Sequence, residues 1–254
     1  MPTTDLLVLH LDTPLQSYAT SGLWQQRATE PWPTRTALIG LLAAAAGIPR
    51  GGDLAPLSDA LHVTIRVDRP GTRRTDYHTV GGGQPRERTA ITSNETYRTH
   101  GKGTIQSWRE YLADAAFTIA LTSMDDRAFS LDTISDWLAA PHWAPYCGRR
   151  AFPLTSPLIL SRTTDDPNRL LRHLPLHRRK PNADDSVRIE FLADTPPHDR
   201  DTVTTVDTVR PGGATELYPV HTSHTMHRWW EHLPATGCAG YSDEWLDALA
   251  RETA

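Results

Sequence analysis

The sequence predicts an α+β protein, and three observations carry that prediction. Short β-prone runs alternate with longer polar stretches, two helices have recognisable end signals, and a long segment without hydrophobic period interrupts the first half. The resulting order is strand, helix, strand, insertion, strand, helix, strand, which is a split βαβ pattern. The chain has 254 residues, 38% hydrophobic and 22% charged, enough for one large or two small globular domains.

The first predicted elements are a strand and an apolar helix. The run Leu6–Leu11 predicts a buried strand. The helix is predicted over Arg35–Ala46, with Thr34 as N-cap and Gly47 just past its end. Its leucines recur at spacings of three and four and most other positions are alanine, so we expect it to lie buried against a sheet. Gly40, inside the helix, is expected to permit close backbone approach.

The next elements alternate between clear and ambiguous patterns. Strict alternation over Leu61–Val67 predicts a strand, and Phe117–Leu121 is another. Trp108–Leu112 fits a helix or a strand equally well on period alone. A second helix is expected to begin after Ser130, its N-cap, and to end before Pro141.

The character of the chain changes after residue 160. A strand over Pro157–Leu160 is expected to close the first unit, and the remaining pattern predicts a helix, two strands, a turn and a last helix: Asp166–Leu174, Val187–Leu192, Thr202–Val209, Gly212-Gly213 and Ser242–Leu249. We therefore predict a ferredoxin-like (RRM-like) domain over residues 1–160 and a smaller β-rich C-terminal lobe over residues 161–254.

The insertion is the most informative stretch of the chain. Residues 81–104 are rich in Gly, Thr and Arg, and a loop this long inside a compact domain is usually functional. Its flanks look like paired strands, which predicts a protruding two-stranded arm. The arm carries the ring of Tyr97 and four cations, a combination suited to a polyanion with splayed bases: Arg86, Arg88, Arg98 and Lys102. A disordered surface loop is the alternative.

The net charge of −4 conceals a segregation of charge along the chain. Counting Lys and Arg against Asp and Glu, residues 27–110 carry 12 against 8, residues 141–180 carry 8 against 2, and residues 181–254 carry 5 against 13. Two basic segments followed by an acidic one predict a polyanion site in one part of the molecule and a solvated or protein-facing part elsewhere.

Several function classes are disfavoured by the sequence. Cys147 and Cys238 are isolated, which argues against a disulfide framework and fits a reducing compartment. The start of the chain does not resemble a signal peptide, and the apolar run Ala37–Ala46 is too short to cross a bilayer. We expect a soluble cytoplasmic protein without a membrane partner.

One turn and one helix start suggest phosphate binding. Gly148-Arg149-Arg150 can offer backbone N–H groups and guanidinium forks to a phosphate, although a solvated basic turn is an equal alternative. Arg35 lies in the first turn of the apolar helix, where a cation is unfavourable for the helix dipole. That position suggests an external anionic partner for Arg35.

The sequence predicts neither a metal site nor a cofactor. His221, His224 and His227 do not share one helix face and no carboxylate pattern accompanies them. A metal-independent ribonuclease needs a positioned base, an acid and a charge stabiliser. His78, His100, Tyr77 and Lys102 around the arm contain such groups at spacings that are not diagnostic.

The residues considered so far also carry a family resemblance. The sequence resembles the fifth family of CRISPR-associated proteins, the CasD subunits of type I-E Cascade. The resemblance spans roughly the first 160 residues and rests on five segments: LLVLHLDTPLQSY from Leu6, PTRTALIGLLAAAAGI from Pro33, DYHTV from Asp76, IQSWREYLADAAFTIAL from Ile105 and PYCGRRAFPLTSPL from Pro145.

The resemblance implies a ferredoxin-like fold with a β-hairpin thumb at about residues 81–104. It implies a protein that caps the 5′ handle of the CRISPR RNA (crRNA), beside the CasC backbone subunit and the large CasA subunit, and contacts target DNA only indirectly. It also implies no catalysis. Within the chain, it makes Trp108–Leu112 the strand that returns from the thumb, followed by a turn at Ala113-Asp114.

We therefore predict a non-catalytic RNA-binding subunit of a CRISPR surveillance complex. The predicted handle contacts within the matching segments are Arg35, Tyr77, His78, Arg109, Arg149 and Arg150, and those of the thumb are Arg86, Arg88, Arg98 and Lys102. The alternative function is a repeat-specific endoribonuclease that processes precursor crRNA without a metal. A purely structural subunit with incidental RNA contact is a third.

Overall fold

The structure is a computed structural model. It describes residues 4–18, 25–89, 91–92, 94–98, 103–125, 127–182, 184–198, 200–209, 222–241 and 243–253. The strands are β1 (Thr4–Gln16), β2 (Gln26–Arg27), β3 (Leu61–Val80), β4 (Ile105–Ser123), β5 (Ile159–Asp165), β6 (Ser186–Ala193), β7 (Val203–Val209) and β8 (Thr222–Pro234). The helices are α1 (Arg35–Ala46), α2 (Ala55–Asp59), α3 (Leu131–Ala139), α4 (Pro167–His173) and α5 (Asp243–Thr253). The α+β class is confirmed.

One sheet organises the described chain. Its strand order is β5-β1-β4-β3-β6-β8-β7, with every pair in this path antiparallel, while the two-residue β2 pairs in parallel with β4. The C-terminal strands join the sheet where Thr64–Val67 of β3 pair with β6. The strands from both halves of the chain therefore belong to one sheet, and a division into domains at residue 160 stays a prediction.

β3 and β4 are longer than the sequence patterns predicted. They pair from Leu61 opposite Ser123 to Val80 opposite Ile105, so Trp108–Leu112 is indeed part of a strand. The predicted turn at Ala113-Asp114 is wrong, because β4 continues through it. Asp114 instead adopts a positive φ of 57° within the strand, opposite the irregular stretch around Gly71, so the ladder absorbs the local distortion.

The outer halves of these two strands extend beyond the other long strands. Residues 72–80 pair with residues 105–113, and most of their side chains are exposed or half-buried. Between them, the described part of the connection contains a short 3₁₀ turn at Arg86–Arg88 and an isolated bridge between Ile91 and Tyr97. His100 lies outside the described residues.

One face of the sheet, called the front face below, is buried under α1 and α3. Leu7 and Leu9 of β1 pack there with Leu42 of α1 and Ile134 of α3, all within 2% of full burial. The predicted ends of α1 are confirmed: the Thr34 side chain accepts a hydrogen bond from the Ala37 amide, and Gly47 takes a φ of 78°. Capping and an almost wholly apolar composition together explain why these residues form a buried helix.

The opposite face, called the back face, is covered by the C-terminal part of the chain. Val8 and Ala120 point towards it and pack in a second core with α4, α5 and the strand β6, represented by Leu171, Trp245 and Phe191. An RNA-recognition motif stacks bases on aromatic residues of its sheet face. Here both faces are buried around β1 and β4, so this sheet offers no open face of that kind there.

The sequence patterns did not predict β8. Trp229 is 2% exposed and lies in the core, while Trp230 is half-buried on the strand's other face. The strand contains three described histidine side chains and an ion-paired glutamate, Glu231. It therefore lacks the alternation of apolar and polar residues by which a strand is recognised in a sequence. Among the described residues, no helix is long and apolar enough to span a membrane.

A polar cluster lies inside the back core. His10 Nε2 lies 2.8 Å from His177 Nδ1, and His10 Nδ1 lies 3.2 Å from the hydroxyl of Thr118. The His177 ring stacks on Trp245 of α5 at a centroid distance of 4.4 Å, and the His10 ring packs against it at 4.3 Å with a tilt of 31°. Burial is the main cause that lowers the pKa of both histidines, that of His177 to about 3, and the charge of Arg66 lowers them further.

We predict that this histidine pair makes the fold acid-sensitive. An unfolded histidine has a pKa of about 6.5, so below that pH the unfolded chain binds protons that the folded chain does not. The free energy of unfolding should therefore fall as pH falls from about 6.5, by up to about 1.4 kcal/mol per pH unit for each histidine. Urea unfolding between pH 7.5 and 5 measures this slope.

His177→Phe is the matched control, since it keeps a ring against Trp245 and removes one of the two titrating imidazoles. Burial raises the pKa of Asp12 and Asp68, which acts in the opposite direction, so the difference between the two proteins isolates the contribution of His177. Equal slopes for the two proteins would contradict the prediction.

Candidate nucleic-acid interface

A cationic cleft of about 520 Å³ opens on the front side of the sheet. It is formed by one side of α1, the paired β2 and β4, the residues that follow β1, and the loop that contains Arg149. Its lining is Ser17, Tyr18, Arg27, Thr34, Thr36, Ala37, Gly40, Leu41, Ala44, Arg109, Pro145, Tyr146, Gly148 and Arg149. We call it the Arg149 cleft.

The loop at the rim of the cleft is fixed by a close backbone contact. Gly148 has a φ of 82°, and a Cβ built there would lie 1.7 Å from the carbonyl oxygen of Ser17. The Ser17 amide donates a hydrogen bond to the Cys147 carbonyl at 3.3 Å, which ties the loop to the end of β1. Only glycine fits this position, so the close contact between the backbones of Gly148 and Ser17 fixes the position of the Arg149 main chain.

Arg149 is held over an aromatic ring inside the cleft. Its guanidinium carbon lies 4.5 Å from the centroid of Tyr111, whose other contacts include an edge-on Phe152 ring. The Nη1 atom of Arg149 is buried and has no hydrogen-bond partner among the described residues. Burial lowers the pKa of Arg149, as do the charges of Arg109 and Arg27 to a smaller extent, while the interaction with Tyr111 opposes this shift. An anion in the cleft would satisfy that atom and neutralise the clustered charge.

β2 brings a further arginine to this site. Arg27 pairs in parallel register with Arg109, and the Trp108 amide donates to the Gln25 carbonyl at 2.7 Å. Sequence reasoning missed Arg27, because a two-residue strand leaves no periodic signal. Its position beside Arg109 is set by the sheet alone.

α1 forms the opposite wall. Gly40 faces open space, since a Cβ built on it would meet no heavy atom within 4 Å. The expectation of a close backbone approach at Gly40 is therefore wrong, and the missing side chain widens the cleft instead. Thr36 and Ala37 complete a wall with small side chains.

The structure contradicts the prediction that Arg35 contacts RNA. Arg35 is 4% exposed, and its guanidinium lies 2.5 Å from Asp194 and donates to the carbonyl oxygens of Ser58 and Leu61. Burial raises the pKa of Asp194, but hydrogen bonding from His224, the Arg35 charge and the Val63 amide together lower it. The anion that Arg35 needs at the helix start is thus an internal carboxylate.

The hairpin residues divide between the two faces of the sheet. His78 lies on the same face as the cleft, with Nε2 3.0 Å from the Tyr111 hydroxyl and 2.8 Å from Asp76. Tyr77 points to the opposite face, where its ring lies 5.3 Å from that of Trp108. The structure therefore brings His78 and Tyr111 together and separates Tyr77 from them.

The remaining predicted contacts lie on exposed connections. Arg86 and Arg88 are exposed in the 3₁₀ turn, and Arg150 is exposed beside Arg149. Arg98 is half-buried, and its Nε atom has no hydrogen-bond partner within the described chain. Lys102 lies outside the described residues. Contact of these residues with RNA stays a prediction.

The histidines that suggested a metal are dispersed. His224 lies 2.7 Å from Asp194 and His227 lies 3.3 Å from Thr202, while His221 lies outside the described residues. Among the described residues, the imidazoles of His10 and His177 and the carboxylate of Asp12 form the group with metal-ligand geometry.

That group is better explained as structural. Its two imidazoles are hydrogen-bonded to each other, and Asp12 is paired with Arg69 at 2.7 Å. The guanidiniums of Arg66 and Arg69 add positive charge beside it, which disfavours a cation.

The fold and the cleft define an α+β protein with a cationic site on its sheet, a class that includes nucleic-acid-binding subunits. The family model of the CRISPR-associated protein Cas5 matches residues 6–220. The chain therefore belongs to the Cas5 family of CRISPR-associated proteins. The loop at Arg149 and both walls of the cleft lie within the matched range.

Similar proteins point the same way. The chain is 35% identical over 182 residues to the CRISPR system Cascade subunit CasD of Escherichia coli K12, covering 67% of this chain and 77% of that protein. It is similar to a chain of a CRISPR RNA-guided surveillance complex, with 38% identity, a TM-score of 0.82 and coverage of 98% and 99%. A Cas protein crystal structure with 24% identity, a TM-score of 0.59 and coverage of 92% and 97% shares the fold.

We predict that Arg35 is a structural residue. Replacing it by methionine in Arg35→Met leaves the carboxylate of Asp194 buried without its guanidinium, which should reduce the free energy of unfolding by about 3–5 kcal/mol. Arg150→Met, at an exposed position, is the matched control and should change it by less than about 0.5 kcal/mol. Urea unfolding compares the two; similar small losses would contradict the assignment.

Proposed function

We propose that this chain is a non-catalytic, RNA-binding subunit of a type I-E CRISPR surveillance complex, and that it holds the 5′ handle of the crRNA in the Arg149 cleft. The observation that carries the proposal is Arg149 itself. Its guanidinium is fixed on Tyr111, is close enough to Arg109 and Arg27 to be affected by their charges, and keeps a buried donor without a partner in the described chain.

The chemistry of the cleft suits a phosphate of a single-stranded nucleic acid. Guanidinium forks bind phosphate with two parallel hydrogen bonds, and clustered arginines provide the counter-charge. The walls made of threonine, alanine and Gly40 leave room for a ribose beside the phosphate. The sequence similarity to a Cascade subunit and the similarity to a chain of an RNA-guided complex support RNA as the ligand.

We further propose that the N-terminal part is ferredoxin-like and that the outer halves of β3 and β4 form the base of its thumb. The element order β1, α1, β3, β4, α3, β5 supports this, since it is the split βαβ order. The thumb would bring Arg86, Arg88, Arg98 and Lys102 to the RNA, and the front-facing His78 would lie between thumb and cleft.

The same proposal assigns partners by family. The CasC backbone subunit and the large CasA subunit would be its neighbours in the complex, and target DNA would be reached indirectly through the guide. Such an assembly would work in the cytoplasm. The name of the E. coli relative, a Cascade subunit, supports membership of a multi-subunit complex.

One observation favours a second function, a repeat-specific endoribonuclease. His78 lies between the Tyr111 hydroxyl and the Asp76 carboxylate, on the face that also carries Arg109. A histidine oriented by a carboxylate can act as a general base, and a neighbouring arginine can stabilise a phosphorane-like charge. These four residues are the group to test against the non-catalytic function.

We predict that the cleft binds the handle through phosphate contacts. Arg109→Ala with Arg149→Ala should weaken binding of a handle-sequence RNA and flatten the dependence of log K on log salt by about 0.7 per lost contact. The matched control is Arg50→Ala with Arg127→Ala, which removes the same charge from exposed positions. Fluorescence anisotropy over a salt series measures both proteins.

Thermal unfolding of each variant shows whether the loss of the Arg149–Tyr111 contact disturbs the fold. If it does, Arg109→Ala alone provides the test, since the side-chain contact described for Arg109 is a hydrogen bond to Ser107. Equal slopes for cleft and control variants would refute the cleft as the handle site.

We predict that His78 is not needed for RNA processing. In the assembled complex, His78→Ala should leave cleavage of precursor crRNA unchanged, because a non-catalytic subunit supplies no base. Gel analysis of labelled precursor measures the rate. Loss of cleavage with the complex still assembled, and specific cleavage of repeat RNA by the isolated chain, would both favour the endoribonuclease.

A further inference from the structure

A second cationic concavity lies at the C-terminal side of the molecule. It has a volume of about 560 Å³, and its lining is Arg179, Lys180, Thr236, Cys238, Ala239, Gly240, Glu244, Ala248 and Arg251. We call it the back groove, because its frame is anchored to the back face of the sheet. Arg69, which is paired with Asp12 of β1, donates a hydrogen bond to the His177 carbonyl at 2.7 Å.

The cations of the back groove stand on a rigid frame. The segment after α4 is joined to the turn before α5 by main-chain hydrogen bonds: the Leu176 amide to the Gly237 carbonyl, the Ala239 amide to the Leu176 carbonyl, and the Gly240 amide to the Arg178 carbonyl, at 2.8, 3.0 and 3.0 Å. His177 stacks on Trp245 at 4.4 Å and anchors the same segment to α5. Side chains on such a frame are presented with little loss of conformational entropy on binding.

The positive charge of the back groove is not neutralised internally. Arg178, Arg179, Lys180 and Arg251 form no ion pair with a carboxylate among the described residues, although Glu244 is part of the lining. Cys238 is part of the lining; burial raises the pKa of its thiol, and the charges of Arg178 and Lys180 oppose that shift. A cluster of cations in a concave site attracts a polyanion.

The aromatic rings near the groove are already occupied. Tyr241 carries the guanidiniums of Arg69 and Arg179 at 4.5 and 5.0 Å from its centroid, and Trp245 is 1% exposed. Single-stranded nucleic acid is usually held by stacking bases on open rings, whereas a duplex is held through its backbone. A cluster of cations without an open aromatic ring therefore fits binding of a duplex through its phosphate backbone.

We propose that the back groove is a second nucleic-acid site, which binds the phosphate backbone of a double-stranded DNA without reading its sequence. It lies on the opposite side of the sheet from the Arg149 cleft, and its function does not depend on what the cleft binds. A subunit with both sites would hold a single-stranded RNA on one side and a duplex on the other.

Cys238 makes a direct test possible on the unmodified chain. The chain has two cysteines, and Cys147 is 1% exposed with a pKa that burial raises to about 12, so alkylation reports on Cys238. A 20-base-pair DNA of arbitrary sequence should slow the alkylation of Cys238 by iodoacetamide several-fold at saturation. Mass spectrometry of quenched samples measures the rate and assigns the site.

Charge reversal gives the second test. Arg179→Glu with Lys180→Glu should weaken duplex binding at least about tenfold at 0.1 M salt and flatten the log K against log salt slope by about 0.9 per lost contact. Arg50→Glu with Arg127→Glu changes the net charge equally at exposed positions elsewhere and should leave most of the affinity intact. Handle RNA binding, measured in parallel, should be similar for the two double variants, which separates this test from that of the cleft.

Several results would overturn the proposal. An alkylation rate of Cys238 that duplex DNA leaves unchanged is one such result, and an equal loss of affinity in both double variants is another. Stronger protection of Cys238 by a single-stranded RNA would make the groove an RNA site, and equal protection by a poly-glutamate peptide would make it a general acidic-protein site. The alkylation of Cys238 in the unmodified chain tests the proposal even if a charge-reversed variant does not fold.

Discussion

The long antiparallel pairing of β3 with β4 is the constraint on which the rest of the structure depends. Its inner half carries Ile65 and Phe117 into the front core and Ala120 into the back core. Its outer half extends beyond the other long strands and places Tyr111 and His78 on one face. Because side chains alternate strictly along a strand, the register set in the core determines which residues of the hairpin face the cleft. A shift of one residue would turn Tyr111 and Arg109 away from Arg149.

Much of the N-terminal fold could be predicted from local sequence, for physical reasons that the structure makes plain. α1 and α3 have capping residues at their predicted starts and apolar faces of the right period, and both signals are local. β8 could not be predicted, because its side chains are stabilised by partners distant in sequence, such as Asp194 for His224. The prediction of an external anionic partner for Arg35 was wrong for the same reason. Its position in α1 was right, but its carboxylate partner lies 159 residues away.

The candidate site shows the same limit. Arg149 stood out because glycine precedes it, and the tight contact of Gly148 with Ser17 explains why glycine is required there. The position of Arg27 in the cleft could not be predicted, since the parallel pairing that places it beside Arg109 extends over two residues only. The sequence also did not predict that α4 and α5 cover the back face, because the contacts of Leu171 and Trp245 in the core shared with β1 and β4 are made between distant parts of the chain. Local sequence patterns predict single helices and strands, whereas a binding site depends on contacts between helices and strands that are distant in sequence.

The carboxylate of Asp194 has a consequence for how the protein is made. It binds Arg35 of α1, the Val63 amide of β3 and His224 of β8, so it joins three parts of the chain that leave the ribosome at different times. A nascent chain that ends at residue 160 has α1 and the first strands but lacks this counter-charge and the cover of the back face. Domains usually fold as they emerge, N-terminal first. Because Asp194 and the cover of the back face both come from the second half, the buried ion pair of α1 cannot form until that half has been synthesised.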